Sequence, residues 1–152
     1  MSRKKLSWRE KLLDNKGHPT VISINDEMSL RWGTGTVVIP APIEVNEIMR
    51  SVLKGELITI DEIRRRLAAK HGTNIACPIT TGIFAWMAAH AADEAEAAGA
   101  RRITPYWRTL KSGGELNQKY PGGIENLRAR LEAEGHTVLQ RRKRYFVEKD
   151  GL

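Results

Sequence analysis

Residues 105–123 read PYWRTLKSGGELNQKYPGG, and this stretch distinguishes the chain more than any other. It places an aromatic pair, Tyr106-Trp107, close to the cation Lys111. Aromatic rings beside cations can stack on nucleic-acid bases, and aromatic side chains equally build protein interiors. Directly downstream, apolar residues recur at helical spacing between Gly123 and Gly135, which predicts a helix there.

Three further helices are predicted upstream of this stretch, each from apolar residues at helical spacing. The first follows Pro40-Ala41-Pro42, which is the best candidate for a domain boundary because prolines stiffen the backbone. The second begins with a capping box, in which Thr59 and Glu62 satisfy free backbone amides, and it ends at Gly72. The predicted helices cover residues 43–53, 59–72 and 78–99.

The two ends of the chain are predicted to hold short elements. Residues 6–16 are expected to form a short helix, and residues 20–24 and 35–39 two β-branched strands. At the other end, residues 137–147 are predicted to form a β-hairpin with the basic run Arg141-Arg142-Lys143-Arg144 at its tip. We expect the N-terminal strands to pair with this hairpin.

The composition favours a polyanionic partner. Among 152 residues, 25 Lys and Arg stand against 18 Asp and Glu, which gives a formal net charge of +7 and a pI near 9.8. A cationic protein attracts nucleic acid by Coulomb forces and by release of the counterions condensed on the phosphates. The length is that of one compact domain, or of one domain with a short appendage.

Several functional classes find no support in the sequence. No apolar run approaches the roughly 20 residues that span a membrane, and no signal-peptide core follows the basic N-terminus, so a cytoplasmic location is expected. The single cysteine, Cys77, excludes an internal disulfide and a zinc site built from several thiolates. The four histidines show no metal-ligand spacing, and neither a metal nor a cofactor is expected.

Three short motifs occur in a defined order along the C-terminal part of the chain. They are the stretch from Pro105 to Gly114, the tetrapeptide Tyr120-Pro121-Gly122-Gly123, and Leu131-Glu132-Ala133-Glu134-Gly135. In this order and spacing they resemble the DNA-binding domain of the O6-alkylguanine-DNA alkyltransferases (the methylated-DNA–protein-cysteine methyltransferases) and of their alkyltransferase-like relatives. The resemblance covers roughly residues 43–136.

The resemblance implies an α+β fold built on a helical, winged-helix-like DNA-binding domain, with short strands from the N-terminal segment and a C-terminal hairpin. Residues 1–40 are expected to be a short appendage of one helix and strands. Residues 41–152 are expected to be the alkyltransferase-like domain with its hairpin. DNA is the partner that the resemblance implies, in a DNA-repair setting.

The residues that carry the family's chemistry differ in this chain. By the resemblance, Tyr106 occupies the position of the family's reactive cysteine and Trp107 that of its histidine, while Glu134 matches the glutamate of the same network. A phenol with a pKa near 10 is protonated at neutral pH, and an indole has no basic nitrogen. Alkyl transfer at Tyr106 is therefore not expected. We interpret the chain as a non-catalytic, alkyltransferase-like DNA-binding protein that recognises alkylated or otherwise altered bases.

The side chains that extrude a base in the family are also replaced. The family's base-flipping tyrosine corresponds to Ile60, and its stack-filling arginine corresponds to the region of Thr81. Binding to a bent, widened minor groove is compatible with these replacements.

The candidate site residues form two groups. Tyr106, Trp107 and Glu134 are expected at the floor of a lesion pocket, with core packing as the alternative for the two aromatic rings. The candidate DNA contacts are small residues at a helix N-terminus and cations, for which helix capping and a solvated surface are the alternatives. They are Thr80, Thr81, Gly82, Arg64, Arg65, Arg108, Lys111, Ser112, Arg141, Arg142, Lys143 and Arg144.

Two other functions stay open at this point. Cys77 precedes the predicted helix 78–99, and a helix N-terminus can lower the pKa of a thiol, so a divergent alkyltransferase could use Cys77 as its acceptor. A buried structural cysteine is the commoner situation. Alternatively, the scaffold is reused to bind a protein or a small ligand.

Overall fold

The computed structural model describes residues 6–148, which form six α-helices and seven short β-strands. The helices are α1 (Trp8–Leu13), α2 (Asp26–Trp32), α3 (Pro42–Arg50), α4 (Ile60–His71), α5 (Pro78–Ala97) and α6 (Gly123–Ala133). The strands are β1 (Thr20–Ser23), β2 (Thr36–Ile39), β3 (Ile58–Thr59), β4 (Ile75–Ala76), β5 (Thr109–Leu110), β6 (Val138–Arg141) and β7 (Arg144–Val147). The predicted α+β class is confirmed.

The strands form three small sheets. β2 lies between β1, which is antiparallel to it, and β4, which is parallel to it; β3 pairs parallel with β5. β6 and β7 form the predicted hairpin, with Val138 opposite Val147 and Arg141 opposite Arg144. The expected pairing of the N-terminal strands with this hairpin is wrong. Both edges of β2 are occupied, by β1 on one side and by β4 on the other, where the amide of Cys77, directly after β4, donates to the Val38 carbonyl at 2.9 Å.

Side-chain caps explain where several helices begin. The Asn25 side chain accepts from the amide of Met28 at 2.8 Å and starts α2, and the Thr59 hydroxyl accepts from the amide of Glu62 at 3.2 Å and starts α4. The sequence prediction misses α2, because this helix has only seven residues and its apolar face is limited to the half-buried Met28 and Trp32. In α4 the Glu62 carboxylate pairs with Arg65 and Arg66.

The core surrounds α5, which packs against α1, α3 and α4. Alanines make up five of its eight buried residues. Leu53 and Ile83, which the helical spacing places inward, are exposed instead, because Leu53 lies beyond the end of α3 and Ile83 faces away from the packed side of α5. The largest fully buried side chains include Tyr106, Met49, Ile63, Leu67, Leu110, Leu127 and Leu131.

Two connections place the 105–120 segment and the hairpin beside α4 and α5. β5 of this segment pairs with β3, directly before α4. The amide of Leu116 donates to the Tyr145 carbonyl at 2.9 Å, which fixes β7 against the same segment. Among the described residues, no helix has the length and apolar character needed to cross a membrane.

Candidate nucleic-acid interface

Four of the predicted site residues line one cavity of about 430 Å³, which we call the basic cavity. Gly82 comes from α5, Lys111 and Ser112 from the turn after β5, and Arg144 from β7. The remaining lining residues are Ile60, Glu115, Asn117 and Tyr120. The fold thus brings together predicted residues from three segments that are distant in the sequence.

The charge of the basic cavity is set by two cations and one carboxylate. Arg144 Nη2 donates to Glu115 Oε1 at 2.6 Å, and Lys111 Nζ lies 3.8 Å from the same oxygen. The hydrogen bond from Arg144 holds the pKa of Glu115 below its ordinary value, against the opposing effect of burial. The carboxylate is therefore ionised at neutral pH, and the two cations leave a positive surplus at the cavity.

The hairpin tip extends this positive surface. Arg141, Arg142 and Lys143 are exposed. Within residues 6–148, neither Arg142 nor Lys143 forms an ion pair. The guanidinium groups of Arg141 and Arg144 lie 5.9 Å and 5.1 Å from the centre of the Phe146 ring, which holds them on one side of the hairpin.

Two isoleucines of α5 add an exposed apolar surface beside these cations. Ile79 is 63% exposed and Ile83 is 47% exposed. They line a groove of about 650 Å³ that also contains Trp86 and shares Gly82 and Asn117 with the basic cavity. Sequence reasoning missed Ile79, although its spacing of four residues from Ile83 puts the two on one helix face.

Tyr106, at the expected position of the pocket floor, is fully buried in this structure. Its hydroxyl accepts a hydrogen bond from Asn126 Nδ2 at 2.9 Å, and burial raises its pKa above 10.0. Its ring packs edge-on against those of Trp107 and Tyr120. Contact between Tyr106 and a base would require this packing to open. Tyr120 lines the basic cavity but is itself only 3% exposed.

Trp107 and Arg108 share one partner, the carboxylate of Glu134. Trp107 Nε1 donates to Glu134 Oε2 at 2.9 Å, and Arg108 Nη2 donates to the same atom at 2.8 Å. Arg108 Nη1 also donates to the Val52 carbonyl at 2.7 Å. Burial alone would raise the pKa of Glu134, but the hydrogen bonds from Arg108 and Trp107 outweigh it and lower the pKa. In this structure Arg108 faces inward and joins the end of α6 to the segment after α3.

Other predicted residues also have internal partners. Thr81 is buried, and its hydroxyl donates to the Cys77 carbonyl at 2.6 Å. Thr80 is half-buried, and within the described residues its hydroxyl oxygen is buried without a hydrogen-bond partner. Arg64 Nε donates to the Ala76 carbonyl at 3.0 Å, and Arg65 pairs with Glu62 in the preceding turn. These contacts anchor Thr81 and Arg64 in local structure, whereas the Arg65 side chain stays 72% exposed.

Cys77 lies at the N-cap of α5 and is 7% exposed. A thiol in this position has little access to an alkyl group on DNA. Among residues 6–148, no cluster of three or more His, Cys, Asp or Glu side chains is placed to hold a metal ion.

Comparison with known proteins gives one similar solved structure. No family model matches the chain, and no curated protein matches it. The crystal structure of S. pombe Atl1 in complex with damaged DNA containing O6-carboxymethylguanine is similar, with 18% sequence identity and a TM-score of 0.48. The match covers 70% of this chain and 87% of that chain. That likeness concerns the fold and carries no residue or activity over to this chain.

Proposed function

We propose that this protein binds DNA without catalysis and that the basic cavity receives an alkylated or otherwise altered base. The observation that carries the proposal is the convergence of Gly82, Lys111, Ser112 and Arg144 on one cavity. Each was selected from the sequence as a candidate DNA contact, and the three segments that supply them are far apart along the chain. The motif order of residues 105–135 supports the same proposal.

The chemistry of the basic cavity suits a nucleotide. Lys111 and Arg144 offer positive charge to phosphates, and half-buried Ile60 offers apolar surface to a base. Asn117 supplies amide hydrogen-bonding groups. The volume of the basic cavity lies within the range of sites that enclose small ligands, about 300–1,000 Å³.

The exposed isoleucines suit an interface that contacts DNA bases better than an interface that contacts only phosphates. Phosphate contacts make no use of apolar side chains, whereas proteins that bend DNA from the minor groove insert such side chains between base steps. Ile79 and Ile83 stand beside the cavity on the same helix as Gly82. We assign them to the contact with the stacked bases around the altered one.

The burial of the two candidate alkyl acceptors, Tyr106 and Cys77, supports a function without catalysis. The Tyr106 hydroxyl is buried, hydrogen-bonded and has a raised pKa, so its nucleophilic phenolate is disfavoured. The Cys77 thiol is buried. After incubation with methylated duplex, the intact mass of the protein should be unchanged; a methyl gain that Cys77→Ser abolishes would replace this proposal with alkyl transfer.

Binding is tested by fluorescence polarisation with two matched duplexes, one plain and one containing O6-methylguanine, each at two salt concentrations. We expect binding to both duplexes to weaken steeply with salt and the modified duplex to bind more tightly. Binding that is undetectable at low salt, or that is independent of salt, would contradict the proposal.

A variant of Gly82 distinguishes the contribution of the basic cavity to DNA binding from that of the surrounding surface. A Cβ on Gly82 meets no atom within 4 Å, and Gly82 lines the basic cavity as well as the adjoining groove, so we expect the Gly82→Leu side chain to reduce the open space at their shared edge. Since glycine lowers the stability of a helix interior, the variant should fold at least as stably as the parent. We expect it to lose the preference for the modified duplex and to keep its affinity for plain DNA. Gly82→Ala is the matched control, and equal preference in all three proteins would place the altered base elsewhere.

A further inference from the structure

A second cavity lies further along α5, between its C-terminal half, α1 and α3. We call it the alanine cavity, because small side chains of α5 leave its space open. Its volume is about 760 Å³, again in the range of small-molecule sites, about 300–1,000 Å³. Its apolar wall includes Ala88, Ala91, Ala92, Ala95, Leu12 and Ile43.

Three arginines from three different segments border the alanine cavity. Arg9 belongs to α1, Arg50 to α3, and Arg102 to the loop after α5. All three are exposed, and in the described part of the chain none of them forms an ion pair. Glu94 also lines the cavity, but its carboxylate accepts the amides of Trp8 at 3.1 Å and Arg9 at 3.3 Å. Positive charge is therefore in excess around an apolar wall.

A nearly buried amide adds a polar group to the wall. Asn46 is more than nine-tenths buried, and its Oδ1 accepts a hydrogen bond from the Thr104 hydroxyl at 2.7 Å. Among the described residues, no acceptor is found for Asn46 Nδ2. Asn46 Nδ2 is not among the fully buried atoms of the described residues that lack a partner, so this donor reaches open space and is available to a ligand in the cavity.

We propose that the alanine cavity binds an amphipathic organic anion, whose apolar body lies on the alanines and whose carboxylate or phosphate contacts the arginines. The combination decides the class of ligand. A nucleic-acid backbone would use the cations and leave the apolar wall without a partner, and a neutral apolar ligand would leave three unpaired arginines unused. This site is separate from the basic cavity and does not depend on the proposed DNA binding.

The probe is decanoate, titrated into the full-length protein by isothermal titration calorimetry below its micelle-forming range. We expect saturable binding, with acetate and neutral decanol much weaker, because the site needs both the charge and the apolar body. Arg50→Gln and Arg102→Gln should each weaken decanoate binding about tenfold, the effect of one lost charge-assisted hydrogen bond.

Two further variants separate a loss of the site from a loss of the fold. Ala95→Leu puts a good helix former into the half-buried cavity wall and should abolish decanoate binding with the circular-dichroism spectrum unchanged. Arg142→Gly with Lys143→Ser, on the hairpin tip, should leave decanoate binding intact. No binding to the folded parent protein overturns the proposal, as does equal affinity for decanol or unchanged affinity in all three cavity variants. DNA binding is measured separately on the same variants. A loss of DNA binding can therefore be distinguished from a loss of decanoate binding.

Discussion

At the scale of single residues, Glu134 holds the Tyr106–Arg108 segment in place. The carboxylate accepts from Trp107 and Arg108 and from the amide of Gly55, at 3.4 Å, so one residue at the end of α6 joins three parts of the chain. The Trp107 indole donates where a histidine would be expected from the resemblance, so an interaction with this glutamate exists without a basic nitrogen. The hydrogen bonds to Glu134 hold these segments together, and none of them involves the Tyr106 hydroxyl.

We predict that Glu134→Gln lowers the free energy of unfolding by about 3 kcal/mol at neutral pH, because Arg108 loses the charge that compensates it in a mostly buried site. Glu132→Gln is the control, since its pair with Arg128 is half-exposed and should contribute less than about 1 kcal/mol. Urea unfolding measures both changes. Equal small changes in the two variants would contradict the role given to Glu134.

The same substitution predicts a pH dependence. The folded-state pKa of Glu134 lies below its ordinary value of 4.5, so below that value the folded state resists protonation while the unfolded chain takes up a proton. The stability that Glu134 contributes is therefore present above pH 4.5 and is lost as the pH falls through the lowered folded-state pKa. The difference in unfolding free energy between parent and Glu134→Gln should narrow over that acidic range, and a constant difference would contradict the assignment.

At the scale of elements, the β6–β7 hairpin combines a fixed base with a charged tip. The Leu116–Tyr145 hydrogen bond and the Arg144–Glu115 pair attach the base to the cavity wall. Arg142, in the two-residue turn, has a φ of 58°, a conformation that favours glycine. Since the positive φ gives an arginine no advantage in this turn, we assign the Arg142 side chain to phosphate contact under the proposed function.

Replacing Arg142 by Gly and Lys143 by Ser tests this explanation. The turn gains glycine at the position of positive φ, so stability should be unchanged or higher, while DNA affinity should fall. If both side chains contact phosphates, the slope of log affinity against log salt should decrease by about 1.8, at about 0.9 per contact. Arg101→Gly with Arg102→Ser removes the same charge beyond the C-terminal end of α5 and is the control. Equal losses in both variants would assign the effect to net charge alone.

At the scale of the whole molecule, the limits of sequence reasoning follow from what each element buries. α3, α4 and α6 were predictable because each turns a periodic apolar stripe toward the core, and the hairpin was predictable from its alternation around a basic turn. The length and alanine content of α5 predicted a helix, but its apolar residues surround the helix, so the sequence did not show that Ile79 and Ile83 are exposed. α2 has seven residues and no fully buried side chain, and its half-buried Met28 and Trp32 are too few for a periodic signal. The basic cavity could be predicted only in part: Lys111, Ser112 and Arg144 were selected by charge and motif, whereas Tyr120 and Glu115 enter it through long-range packing that no local pattern encodes.

The N-terminal forty residues provide the last prediction, which tests the boundary expected at Pro40-Ala41-Pro42. β2 is the central strand of its sheet, and Val38 is fully buried in the core that α3, α4 and α5 form. Val38→Ala should therefore lower the free energy of unfolding of the whole chain by about 2 kcal/mol, from lost burial and a residual cavity, in one cooperative transition. Val21→Ala, at a half-exposed position on β1, is the control and should change this free energy by less than about 0.5 kcal/mol.

If residues 1–40 were instead a separable appendage, Val38→Ala would cause the N-terminal segment to unfold first and would leave the main unfolding transition of residues 41–152 unchanged. Tryptophan fluorescence, with Trp8 and Trp32 before the boundary and Trp86 and Trp107 after it, distinguishes the two outcomes in single-tryptophan variants.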